Sequence, residues 1–304
     1  MLAKRKKGGK GMKLIRKKNV NVLMIVAFLL LSLYFLSLLV PSVWMFYTSF
    51  KGSLDYLENP LNLPPKWHFE NIATAFKYFR AQKSVDGEMV TVYIEILVLN
   101  SLLYAVGSAF VSTLTCCIVA YATSRFRFAF NSVIYGIVIV TMTLPIVGNL
   151  PSELQLLKLL GLYDHIYGLW ICKANFLGLY YLIFFASFKT IPNDFSEAAH
   201  IDGASNIKVL ISIALPLVKS TFMTIMLIKF VEFWNDYTVT LTYMPSIPTL
   251  AYGLYTYSFS TIPEISNTPM RLVGCLILIV PILIVFVFCH KKLMGNISMG
   301  GIKE

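Results

Sequence analysis

Six stretches of this chain stay apolar on every side for roughly twenty residues or more, and no other feature restricts its fold as tightly. They fall at 20–47, 95–124, 130–150, 166–188, 217–243 and 272–290. A helix rises about 1.5 Å per residue, so about 20 residues cross the roughly 30 Å of hydrocarbon in a bilayer. Backbone donors and acceptors find no water there, which leaves helices and closed barrels as the spanning forms. Barrel strands alternate in polarity over about ten residues; these runs do not alternate. The chain is therefore expected to be all-α and polytopic, with six transmembrane helices. Of its 304 residues 57% are apolar and 13% charged, against about 25% charged in a soluble domain. That excludes an ordinary soluble enzyme and leaves little room for a separate soluble domain.

Charge orients the runs. The formal net charge is +11, and nine of the 26 basic residues lie in the first eighteen positions, from Lys4 and Arg5 to Lys17 and Lys18. A basic end abutting a long apolar run marks the cytoplasmic side. It lacks the interleaved aromatics of a nucleic-acid surface, so membrane lipid and not nucleic acid is the expected surrounding. The first run is longer than the core of a secretory signal, and no small-residue cleavage site follows it, so it reads as a retained span. Arg125 and Arg127 lie between the second and third spans, and Lys189, Lys208 and Lys219 lie around the segment between the fourth and fifth; these loops are expected inside. The segment 241–270 up to Met270 has no Lys or Arg, and 51–90 balances its charges; these are expected outside. The domain plan is then a basic cytoplasmic N-terminus at 1–19, a six-span transmembrane domain at 20–290 with a long inner loop at 190–216, and a cytoplasmic tail at 291–304. Within the outer loop 51–90, Ile72, Ala75, Phe76 and Phe79 recur at helical spacing and predict an amphipathic helix over 69–79 along the membrane surface.

Metal and disulfide chemistry have no support. Cys116, Cys117, Cys172, Cys275 and Cys289 sit in or at the ends of apolar runs without paired spacing. His68, His165, His200 and His290 are scattered, with no second histidine at helical spacing.

The informative stretch is 192–220, PNDFSEAAHIDGASNIKVLISIALPLVKS, in the inner loop. Asp194 with Glu197 three residues on reads as an N-cap with its capping-box partner, and Gly203 as a C-terminal stop. One short helix, 195–202, is expected. Phe195, Ala198, Ala199 and Asp202 then share a mostly small, apolar face, while Glu197 and His200 point elsewhere. A small face permits close approach of another protein. A second helical stretch at 205–214 runs to Leu215-Pro216, where the proline should end or kink it. On periodicity alone this two-helix elbow could equally be an amphipathic connector that caps the bundle.

Residue identities add to that. Glu197-Ala198-Ala199, then Asp202-Gly203, then Leu215-Pro216 resembles the EAA signature of ABC importer permeases. Asn100-Ser101-Leu102, Tyr121-Ala122, Arg125-Phe126-Arg127-Phe128, Leu144-Pro145, Leu160-Gly161-Leu162-Tyr163-Asp164, Phe233-Trp234-Asn235-Asp236 and Gly300-Gly301-Ile302-Lys303 are similar to recurring segments of the smaller permease subunit in maltose-type sugar importers. The tail departs from that pattern at Asn296-Ile297-Ser298-Met299 and ends in Glu304. The resemblance implies a permease subunit of a carbohydrate importer in the bacterial cell membrane. It implies partners too: a second homologous permease, two ATPase subunits that use the ATP, and an external sugar-binding protein. Glu197, Ala198, Ala199, Asp202 and Gly203 would couple to the ATPases, and Gly300, Gly301 and Lys303 of the tail would contact them. No GxxxxGK[ST] pattern occurs, so no ATP site is expected on this chain, nor any other cofactor.

Ionisable groups inside a membrane are costly and usually face a partner or a cavity. Lys229, Glu232 and Asp236 fall at i, i+3 and i+7 in the fifth run, and the first two are expected to neutralise each other. Trp234, Asn235 and Asp236 are the candidates for lining a sugar path, an indole to stack and amide or carboxylate to hydrogen-bond. Asn149, at the outer end of the third run, and Lys173 are weaker ones, with anchoring at the interface as the alternative. Two rivals follow from the same residues. An ion-gradient-driven secondary transporter or channel would use the three charges as a relay, though the internal repeat of such folds is not visible. A membrane-embedded enzyme lacks any converging nucleophile, base or metal cluster.

Overall fold

The computed structural model describes residues 22–85, 87–126, 128–144 and 148–294, with side chains up to 288. The basic segment 1–19, Asp86, Arg127, Pro145 and the tail with Gly300, Gly301 and Lys303 lie outside the described residues. The chain divides into two units, 1–47 and 48–304.

Among the described residues the first unit is helical: α1 (Val22–Thr48) has 27 residues, the last of them counted with the second unit, and an apolar stretch with a mean hydropathy of 2.8. Its length of about 40 Å exceeds what one crossing needs.

The second unit runs α2 (Ser53–Glu58), α3 (Glu70–Tyr78), β1 (Arg80–Val85), β2 (Glu88–Tyr93), α4 (Ile94–Arg125), α5 (Asn131–Thr143), α6 (Leu150–Leu159), α7 (Ile166–Cys172), α8 (Leu179–Lys189), α9 (Asp194–Ile201), α10 (Asn206–Val209), a π-helical turn (Leu210–Ala214), α11 (Leu215–Leu217), α12 (Lys219–Trp234), α13 (Thr238–Thr242), α14 (Leu250–Ser258) and α15 (Thr268–Met294). α4 is its spine. The first half of α4 packs with α3, the hairpin, α12, α14 and α15 around Phe79, Leu97, Tyr104, Phe230, Trp234 and Tyr257. Its second half packs with α5, α8 and the start of α12 around Cys117, Tyr121, Tyr181, Phe184 and Ile225. Asn100 and Ser101 anchor α14 to α4: the Asn100 amide donates to Pro248 O at 2.9 Å, and Ser101 Oγ accepts from Leu250 N–H at 2.6 Å. Gly107 lets α7 lie against α4, because a Cβ there would sit 2.2 Å from the Trp170 ring.

Among the described residues three helices are long and apolar enough to cross a membrane, α1, α4 and α15, and a bent pair, Asn206–Leu217 with Lys219–Trp234, counts as a fourth when taken as one broken span. The chain is a mostly helical polytopic membrane protein. The remaining runs differ from the expected continuous helices. In the third, α5 ends at Thr143 and Leu144 leaves it in an extended conformation (ψ 118°), as the residue before a proline prefers. The fourth is divided between α7 and α8. Between them the Asn175 side chain accepts from Leu177 N–H, while its carbonyl accepts from the Cys116 thiol on α4. The fifth ends at Trp234, short of the expected 243. The antiparallel hairpin, in register from Arg80 opposite Tyr93 to Val85 opposite Glu88, was not expected. The amphipathic helix is present as α3, with Ala75 and Phe79 in the core while Ile72 and Phe76 face outward.

Candidate functional site

The elbow forms from α9 onward. Asp194 is not the N-cap that the sequence suggested. It is the first helical residue, and Asn193 precedes it with no side-chain capping bond. What holds the start of α9 is Arg125, at the end of α4, whose guanidinium donates to Asn193 Oδ1 at 2.6 Å and to Ile191 O at 2.9 Å. The far end closes as a Schellman motif. Gly203 takes φ +80°, its N–H donates to His200 O at 3.0 Å, and Ala204 N–H reaches back to Ala199 O at 2.9 Å. A residue with a Cβ is strained in that backbone. His200 adds a ring contact to Ala204 O at 2.9 Å.

No residue of α9 is buried. Glu197, Ala198, Asp202 and Gly203 are exposed, Ala199 is half-buried, and Glu197 has no ion pair among the described residues. Phe195 is 52% exposed, and beside it Ile201 and Ile207 stand out at 86% and 70%. The elbow thus carries apolar surface with no cover from its own chain, as a protein-docking element does.

Beyond it Ser205 caps α10 by accepting from Lys208 N–H. The helix then widens over Leu210–Ala214, where Leu215 N–H bonds Leu210 O five residues back. This relieves the ring of Pro216, which cannot donate and would press on the carbonyl four residues earlier. The expected kink comes slightly later than the proline, at Val218, where the axis turns by 77° into α12.

The path candidates separate. Trp234 is 1% exposed; its ring packs on Phe230 at 5.5 Å and its N–H donates to Leu278 O on α15 at 3.1 Å, so it offers no face to a ligand here. Asp236 does not share a helical face with Lys229 and Glu232, because α12 has ended. Its carboxylate instead caps α13, accepting from Thr238 N–H at 3.0 Å and Val239 N–H at 3.2 Å. Asn235 stands exposed at the break and bonds Val231 O at 2.8 Å. Asn149 is exposed at the start of α6. Lys229 and Glu232 pair at 3.3 Å, with the Lys229 ammonium over the Tyr180 ring at 4.9 Å. Lys173 ends α7 with its ammonium 5.9 Å from the Phe233 ring.

Residues 112–293, more than half of the 304, match the family described as binding-protein-dependent transport system inner membrane component. The chain belongs to this family. It is a permease subunit of an ABC importer, a transport protein and not an enzyme, and it crosses the cell's inner membrane more than once. The diacetylchitobiose uptake system permease protein NgcG of Streptomyces coelicolor is 26% identical over 89% of this chain and 86% of its own length. The maltodextrin transport system permease protein MdxG of Bacillus subtilis is 28% identical over 67% of this chain and 74% of its own. In fold the chain resembles a component of a bacterial ABC transporter involved in the import of the acidic polysaccharide alginate, with a TM-score of 0.70, 24% identity, and coverage of 90% of this chain and 97% of that one.

Family membership and geometry together remove the ion-relay rival: Lys229 and Glu232 neutralise each other while Asp236 caps α13, so these three charges share no face. In the sequence Arg125 is a topology marker and part of a family-like segment, and neither shows its bond to Asn193.

Proposed function

We propose that this permease forms one half of the transmembrane path of a carbohydrate ABC importer. It would pair with a second permease, two ATPase subunits and an external binding protein. ATP is used by the ATPases, and this chain binds no cofactor of its own. Six spans, with both ends cytoplasmic, agree with the basic loops around 125–127 and 189–219. The two short apolar helices α5 and α8 would complete the six. The carbohydrate assignment rests on the named relatives for diacetylchitobiose and maltodextrin uptake. The alginate transporter supports the fold and no more. Asn235 and Asp236 at the α12–α13 break, with Asn149, are the polar groups offered to a sugar, and Gly300, Gly301 and Lys303 are proposed to reach the ATPases from the tail.

The observation that carries the coupling role is the uncovered elbow: a helix of eight residues, stopped at Gly203, with Glu197, Ala198, Ala199 and Asp202 on its surface. Closure of the ATPases would push this elbow and bias a bundle with two states. The test is purification through a tag on this chain. Glu197→Lys and Ala199→Trp should insert normally yet lose the ATPases or the uptake of sugar. Normal co-purification and uptake in both variants would reduce the elbow to a connector.

A further inference from the structure

The stretch 160–164 folds into a turn that grips a distant part of the chain. Asp164 is the one non-glycine among the described residues with a positive φ, 62°. Side chains disfavour that conformation, and it persists where the surroundings hold it. Two bonds hold it: Asp164 N–H donates to Tyr243 O at 2.9 Å, and Asp164 Oδ1 accepts from Ser246 N–H at 3.0 Å. A second acid grips the same tyrosine. On α6, Glu153 Oε2 accepts from the Tyr243 hydroxyl at 2.9 Å, while Oε1 accepts from the Cys172 thiol at the end of α7. Tyr243 is thus held by carbonyl and hydroxyl together, and the Lys173 ammonium lies 5.8 Å from its ring.

Tyr243 is the C-cap of α13, and the other end of α13 is capped by Asp236, next to Asn235. α13 has five residues. A helix this short has no stability of its own, so its place is set by whatever holds its ends.

We propose that Glu153 and Asp164 are positioning residues of the transport path. By gripping Tyr243 they fix α13, and through it the orientation of Asn235 and Asp236, without touching substrate themselves. The proposal rests on the reading of Asn235 and Asp236 as path residues, and its test needs no substrate.

The importer is purified through a tag on this chain and placed in lipid nanodiscs, carrying Asn235→Cys. Cys172→Ser keeps a donor to Glu153, and Cys116, Cys117, Cys275 and Cys289 become alanine. The rate at which a small maleimide modifies position 235 is then measured. Glu153→Ala and Tyr243→Phe should each change this rate about fivefold, the size expected when one hydrogen bond restraining a local motion is lost. The double variant should change it no more than Glu153→Ala alone, because Tyr243→Phe removes only a bond that Glu153→Ala has already broken. Glu153→Gln should restore most of the rate, since its amide oxygen still accepts from the tyrosine. Asp164→Ala removes the carboxylate bond to Ser246 N–H, leaves the backbone bond to Tyr243 O, and should shift the rate independently of Glu153. Rates within about twofold of the parent in Glu153→Ala, or effects that add in the double variant, overturn the proposal. So does a lowered melting temperature with an unchanged rate, the mark of a merely structural role. If Asn235→Ala left sugar uptake intact, the path reading would fail while the labelling result stood.

Discussion

Arg125 and Asn193 are 68 positions apart in sequence and 2.6 Å apart in space, joined by a guanidinium that also reaches the Ile191 carbonyl. Through this contact α4, the longest helix among the described residues, ends on the residue that precedes α9. Any force on α9 is therefore felt by α4, which lines both halves of the core.

Arg125→Lys keeps the charge but loses the planar fork that serves two acceptors. We expect the importer to assemble with its ATPases, while uptake per ATP hydrolysed falls severalfold. Parallel ATPase and uptake assays in proteoliposomes check this; an unchanged ratio would show that the clamp transmits nothing.

Gly203→Val places a β-branched residue at φ +80°. It should cost about 1–2 kcal/mol locally and fray the last turn of α9, where Ala199 and His200 supply the closing carbonyls. Co-purification of ATPase should drop while membrane insertion holds. Gly203→Asn, which tolerates the left-handed region, should retain more of it.

Gly107→Leu drives a side chain into Trp170, whose N–H donates to Leu103 O at 3.2 Å. Overpacking of this kind typically costs about 1–3 kcal/mol. Thermal unfolding of the detergent-solubilised protein should move down, and a second change, Trp170→Ala, should recover part of the loss. Equal melting temperatures for parent and Gly107→Leu would mean α7 is free to move off α4.

Lys229→Met leaves Glu232, whose side chain is 56% exposed, without its partner in a run expected to lie in the membrane, where an unpaired ionised group costs more than two neutral ones. Expression and stability should fall in Lys229→Met and recover in Lys229→Met with Glu232→Gln. Additive losses would show that the pair does not act as a unit.

Orientation has its own check. Cysteine at Ser258 should react with an impermeant reagent added to intact cells, and cysteine at Ser205 should not. Reaction at Ser205 from outside would invert the proposed topology.

Continuous hydropathy is encoded residue by residue, and the helices that depend on it were legible: α4, expected at 95–124, runs from Ile94 to Arg125. The stop at Gly203 was legible for the same local reason. The breaks were not. Nothing in the apolar run 217–243 announces that it ends at Trp234, because the decision lies with Asp236, which spends its carboxylate on capping α13. Trp234 looked available to a ligand until the Leu278 carbonyl, 44 residues away, claimed its N–H. The hairpin lies mostly in the stretch 51–90 expected as outer loop, although Asp86-Gly87 between two strand-like stretches is a recognised hairpin signal. The Arg125 clamp and the grip on Tyr243 join residues far apart in the chain, beyond the reach of any local pattern.

The 77° corner at Val218 gives the elbow the proportions of a crank. The arm from Asn206 to Leu217 is about 18 Å long at a helical rise of about 1.5 Å per residue. A sideways displacement of about 1 Å at its α9 end therefore corresponds to about 3° of turn at the corner, by the geometry of an arm that length. The π-turn at Leu210–Ala214 sits within the arm, where it would act as a soft link and absorb the smallest pushes before they reach α12.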